Sequence, residues 1–222
     1  MPGRNRIHFL NGILSYAGSL LWFVFLVLCT LVVVQFSRTG LSFVPIDGML
    51  RSWGLEISLP AQGALVLGYT AMLLLGPKVL AWYDSVRRGQ TSALRGCLNV
   101  FSESLISAWI APTMMIFHSF FMIIIPLGSK TSWNAQARDA GDGVSFGTAF
   151  RNLWLVTLIG IIWGAVAAYY DGAFFWWLSP IFIPLITSIP VAMLLGSPSV
   201  GRTAGQKKIL SMPEESASPE VL

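Results

Sequence analysis

The sequence predicts an all-α membrane protein with four transmembrane helices and one interfacial or re-entrant helical segment. Three observations carry this. Residues 7–37, 57–77, 104–129 and 172–201 contain no Asp, Glu, Lys or Arg, and 152–170 is equally clean; a bilayer core needs about 20 apolar residues per helix. Charged residues are only 11% of the 222 and hydrophobic ones 55%, whereas a soluble domain carries about 25% charged residues. The Lys and Arg between the apolar runs obey the positive-inside rule only when one of the five runs does not cross.

Residues 1–11 read as an N-terminal interfacial segment, and the transmembrane region covers 12–196. Arg4 and Arg6 precede the first span, 12–36. It exceeds the 7–15 or so residues of a signal-peptide apolar core, and no A-x-A-like site follows, so it reads as a retained span. The second span is 59–83, interrupted near its end by Gly76, Pro77 and Lys78. The third apolar stretch is expected to be broken by Pro112 and closed by Pro126. Spans 152–170 and 173–195 are separated only by Asp171 and Gly172, which predicts a tight helical hairpin. Gly160, Gly164 and Ala168 recur every fourth residue, a small-residue face expected to pack on another span. The tail, 197–222, reads as a disordered cytoplasmic end.

The charges decide what the third stretch does. If all five runs cross, with the N-terminus in the cytoplasm, six Lys and Arg lie inside and eight outside. If the third does not cross, twelve lie inside and only Arg38 and Arg51 outside. The expectation is four spans, both termini cytoplasmic, an interfacial or embedded segment over 97–127, and a cytoplasmic loop over 128–151. The basic stretch 84–103 is expected to lie along the inner headgroup layer, with Arg87, Arg88 and Arg95 against anionic lipid.

Few side chains offer chemistry. Cys29 and Cys97 sit in or beside apolar runs and imply no disulfide framework. His8 and His118 lack a second ligand at metal spacing and read as packing or interfacial residues. Asp139 and Asp142 fit a solvated turn better than a cation site. Glu103 either faces a polar conduit or marks the start of a helix. No P-loop, dinucleotide fingerprint, nucleophile elbow or zinc motif is present, and no basic stripe suited to nucleic acid. Among the nine Trp, Trp109 and Trp133 flank the non-crossing segment. An aromatic face stacks on the C–H groups of a pyranose, so these two are the candidates for lining a sugar path.

Five strings occur in a telling order: RIHFLNGILSYAGSLLWF (6–23), FSESLISAWIAPTMMIFH (101–118), SWNAQARD (132–139), FFWWLSPI (174–181) and MPEE (212–215). Together they resemble the C-terminal membrane region of the bacterial glucan biosynthesis glucosyltransferase H family, over about residues 4–222. That family follows the plan of processive family-2 glycosyltransferases and makes the backbone of osmoregulated periplasmic glucans.

The resemblance implies an inner-membrane chain that passes a glucan across the bilayer. A catalytic domain would extend the polymer from UDP-glucose with a divalent cation. It also implies that 128–151 corresponds to a gating loop, with Gln136, Arg138 and Asp139 as its residues and Arg138 the partner for a nucleotide diphosphate. In the family the catalytic domain precedes this region. Here few residues precede the first span, and no paired-Asp, catalytic-base or Gln-x-x-Arg-Trp motif occurs. Activity is thus expected only with a separately supplied catalytic domain, and no cofactor is expected in this chain itself.

Some positions depart from the family pattern. Met114 stands where an Arg is usual, Ala140 where an acid is usual, and Phe146 and Gly147 replace a Trp and a Glu. The rival reading is a small polytopic membrane protein with a structural or partner-binding role and no sugar chemistry.

Overall fold

The computed structural model describes residues 3–40, 59–128 and 143–207. Their regular structure is entirely helical: α1 (Gly3–Thr39), α2 (Leu59–Arg87), α3 (Ala93–Ile124), α4 (Phe146–Tyr170), α5 (Gly172–Ile186), α6 (Ser188–Leu195) and α7 (Pro198–Gln206). Three segments are long and apolar enough to cross a bilayer: Gly12–Thr39, Ala93–Ile124 and Phe146–Tyr170. The pair α5 and α6, bent by 55° at their junction, makes a fourth if taken as one span. The chain forms two compact units, Met1–Gly40 with Ile106–Thr203, and Leu41–Leu105 with Ala204–Leu222.

In the first unit the core lies between α4 and the α5–α6 pair. Ala149, Leu153, Val156, Gly160, Trp163, Gly164 and Ala167 recur at three- and four-residue steps and form one buried face of α4. Leu178, Phe182, Leu185 and Ile189 meet it from the other side. The small residues set the spacing. A Cβ on Gly160 would lie 2.7 Å from Leu185 Cβ and 2.9 Å from the Ile186 backbone nitrogen; one on Gly164 would lie 3.0 Å from the Phe182 ring. The expected face is therefore real at Gly160 and Gly164 but is completed by buried Ala167, not by Ala168, which is exposed. A strict four-residue step drifts around a helix of 3.6 residues per turn, so the third member falls off the face.

The hairpin forms where Asp171 and Gly172 predict it. Asp171 ends α4 by donating its backbone N–H to Ala167 O and caps α5 by accepting from the Phe174 N–H at 2.6 Å. Helix α1 lies parallel to α4. The Trp163 indole donates to the Thr30 hydroxyl at 2.8 Å, and Phe23 packs edge-on to the same indole. At the ends of both helices, Arg38 Nη2 donates to the Tyr170 hydroxyl at 2.8 Å, and the Ser37 hydroxyl donates to Tyr170 O. Ile116 and Phe117 of α3 pack against the core, and His118 meets Ser19 and Tyr16 of α1.

In the second unit, α2 and the start of α3 are joined by a turn at Gly89, whose φ is +71°. The Trp82 indole donates to Ala93 O at 3.0 Å and lies over Gly96, where a Cβ would be 2.5 Å from the indole.

Several expectations about helix boundaries are corrected. α2 continues past Gly76, Pro77 and Lys78 to Arg87, and α3 runs through Pro112 without a break, although Pro126 does lie just beyond its end. Proline removes one hydrogen bond, but ending a helix in an apolar environment strands several groups with no water to satisfy them, so continuing costs less. α3 therefore does not turn back on itself within Ala93–Ile124. α4 begins at Phe146, so Phe146 and Gly147 belong to a helix and not to the loop. Ser145 caps that helix, accepting from the Thr148 N–H at 3.3 Å. α1 begins at Gly3, well before residue 12. The tail contains a helix, α7, where disorder was expected. The last span, expected to be continuous over 173–195, is divided at Thr187.

Candidate functional site

Thr187 is where the apolar helices acquire a polar point. Pro180, Pro184 and Pro190 fall within one short stretch, and each removes a backbone donor. Pro190 leaves Ile186 O without its helical partner, and the chain breaks there, with Thr187 at φ −89° and ψ 9°. The Thr187 hydroxyl donates to Ile183 O at 2.9 Å, with Pro184 O a longer second acceptor at 3.4 Å.

That hydroxyl keeps a free lone pair, and Trp109 of α3 uses it: the indole Nε1 donates to Thr187 Oγ1 across 3.0 Å. One residue on, the buried Ser188 hydroxyl pairs with the Thr157 hydroxyl of α4 at 3.1 Å. The break is thus held by α3 on one side and α4 on the other. Trp109 is fixed by its edge while 44% of its surface stays open.

Of the two aromatic candidates, the structure therefore places Trp109 at a built polar junction. Trp133, Gln136, Arg138 and Asp139 lie outside the described residues, as do Asp142, Ala140 and most of the loop. Glu103 is ion-paired with Lys78 at 3.1 Å, and Lys78 also donates to Ser104 at 3.4 Å. This ties α2 to the first half of α3 and accounts for an acid beside an apolar helix. His118 accepts or donates at Ser19 in 3.1 Å contact and packs against Tyr16, the packing role expected of it. Cys29 and Cys97 are free thiols. Among the described residues, no group of three His, Cys, Asp or Glu side chains is placed to hold a metal ion.

Thr187, Thr157 and Ser188 were missed by the sequence reading. The signal for Thr187 was present: a hydroxyl residue three positions before Pro190 and three after Pro184 is placed to cap the break that those prolines force. Thr157 has no such signal, because its partner is 31 residues away.

Comparison with known proteins bears on what this junction belongs to. The whole chain aligns with glucans biosynthesis glucosyltransferase H of Pseudomonas putida, 33% identical over 229 residues. The alignment covers 100% of this chain and 26% of that protein. The chain is a relative of glucans biosynthesis glucosyltransferase H. The proteins of that name from Pseudomonas entomophila, 32% identical over 229 residues, and Pseudomonas aeruginosa, 33% over 230, match in the same proportions, all of this chain and 26% of theirs. The chain spans about a quarter of the length of these glucosyltransferase H relatives. The resemblance read from the five strings is thus confirmed at the level of the whole chain. No family model matches it, and no solved structure does.

Proposed function

We propose that this chain is the membrane and translocation portion of a glucosyltransferase that builds the backbone of osmoregulated periplasmic glucans from UDP-glucose. The observation that carries the reading is that this whole chain matches about a quarter of the length of proteins named glucans biosynthesis glucosyltransferase H. Trp109, held by its indole N–H at the Thr187 break with 44% of its surface exposed, supports a role in contacting the glucan. UDP-glucose and a divalent cation would be bound by a glycosyltransferase catalytic part, on the same or another chain. Arg138 would meet the nucleotide diphosphate from the loop, since a guanidinium binds phosphate bidentately. A purely structural or partner-binding role is not favoured by a match that extends over every residue.

The site of action is a bacterial inner membrane, with four crossings and both termini cytoplasmic. Two independent arguments support the count. The charges divide twelve to two when α2 crosses and α3 does not, against eight to six when α3 crosses and α2 does not. The packing agrees: Thr30 meets Trp163 and Arg38 meets Tyr170, so α1 and α4 run in the same direction. Two helices that start on the same side must be separated by an odd number of crossings. On that count one of α2 and α3 crosses and the other does not; α3 is long and apolar enough to cross, and the charge division favours α2.

The test is glucan output from cells carrying this chain together with the catalytic part. Arg138→Ala should abolish it, Trp109→Ala should reduce it strongly, and Trp109→Phe should keep most of it. Normal output from both Arg138→Ala and Trp109→Ala would overturn the reading.

A further inference from the structure

The helix α6 is anchored at both ends by contacts that share no residue. At its start lie Thr187 and Ser188, held by Trp109 and Thr157. At its end, Gly196 meets the residues that lead into α4: a Cβ on Gly196 would lie 2.5 Å from Val144 Cγ2, 3.2 Å from Val144 Cβ and 3.0 Å from Ala192 O. From the other side, a Cβ on Gly143 would lie 3.1 Å from Pro198 Cδ and 3.2 Å from Gly196 O. Between these anchors stand eight helical residues, about 12 Å at 1.5 Å per residue, with no glycine among them. A glycine-free helical piece of this length is stiff enough to pass a displacement at one end to the other.

The Trp109 indole has one hydrogen-bonding atom, Nε1, and it is committed to Thr187. Where Thr187 goes, the indole edge follows or loses its acceptor in an environment where few others exist. The geometry points to Thr187 as the positioning residue of Trp109, with α6, clamped at Gly196 against Val144, setting where Thr187 stands. The consequence for glucan handling rests on the reading of Trp109 given above, but the coupling itself does not.

The coupling is read directly by labelling the full chain with 5-fluorotryptophan in lipid nanodiscs and recording fluorine spectra. The Trp109 resonance is assigned with Trp109→Phe. Thr187→Val keeps the side-chain shape and removes the hydroxyl; Thr187→Ser keeps the hydroxyl. The expected result is a Trp109 resonance displaced by more than its linewidth in Thr187→Val and unmoved in Thr187→Ser. Resonances unmoved in both variants, or displaced alike in both, would overturn the positioning role.

The far anchor is tested separately. Gly196→Ala should displace the Trp109 resonance, and adding Val144→Ala should return it towards its original position. A Trp109 resonance indifferent to Gly196→Ala would refute the clamp, and a displacement that Val144→Ala leaves unaltered would refute its route through Val144. Should Thr187→Val fail to fold, these Gly196 variants still decide the matter. Glucan output from Trp109→Ala is scored separately, so failure of the coupling and failure of the glucan reading are distinguishable.

Discussion

The indole of Trp163 donates its Nε1 hydrogen to the hydroxyl of Thr30 across 2.8 Å, and that hydroxyl donates in turn to Leu26 O at the same distance. Trp109 and Thr187 repeat the arrangement, with Ile183 O as the final acceptor. In both, a threonine satisfies a carbonyl four residues back on its own helix and uses its remaining lone pair to hold a tryptophan from another. The device fixes the contact of two apolar helices without leaving either buried side-chain polar atom unpaired, and among the described residues no buried side-chain nitrogen or oxygen is.

Thr30→Val should therefore destabilise the α1–α4 contact, because it strands the indole N–H of a buried Trp163. The expected cost is about 1 kcal/mol, the usual scale for an interhelical hydrogen bond in a membrane. Thr30→Ser should be close to neutral. Unfolding in mixed micelles with increasing SDS, followed by circular dichroism, measures both.

Gly160→Ala and Gly164→Ala should differ. At Gly160 the new methyl meets Leu185 Cβ and backbone atoms of Ile186 and Phe182, none of which a side-chain truncation removes. The helices must separate, at a cost of about 1–3 kcal/mol. At Gly164 the nearest atoms to the methyl are those of the Phe182 ring, from 3.0 Å, so Gly164→Ala should cost less and should be relieved by Phe182→Leu. The same unfolding measurement, run as a double-mutant cycle, checks the coupling.

Cys97 is a native reporter of topology. It is exposed at the start of α3, and Cys29 serves as an internal comparison in α1. If α2 crosses and α3 does not, Cys97 faces the cytoplasm. A membrane-impermeant maleimide should then label it in inverted vesicles and not in intact spheroplasts. A cysteine placed at Trp133 in a Cys97→Ser background should behave the same way. Labelling of Cys97 from the periplasmic face would make α3 the crossing helix instead of α2.

Glu103→Gln should leave glucan output unchanged and cost no more than about 1 kcal/mol, because its partnership with Lys78 is substantially exposed, 56% on the Glu side. Loss of output at unchanged stability would return Glu103 to the list of conduit residues.

Much of the fold was legible because apolar length and the placement of charge are properties of the chain alone. The hairpin at Asp171 followed from a single polar residue between two apolar runs, and Gly160 and Gly164 announced a close helix contact. The prolines misled in both directions. Pro77 and Pro112 read as interruptions yet sit inside continuous helices, while the real break came at Thr187, where three prolines act together. One missing donor is tolerated; the accumulation is not.

By itself the sequence determined that this is a helical membrane protein, which runs are apolar, where Lys and Arg fall between those runs, and which family it resembles. These depend on composition and order, which need no partner to be read. Tertiary structure decided that α1 and α4 run in parallel, that Ala167 and not Ala168 completes the packed face, and that Trp109 is tied to Thr187. Each of those is a relation between residues 3 to 133 positions apart in pitch or in contact. No local pattern encodes such pairs, because whether two side chains meet depends on where the intervening helices place them.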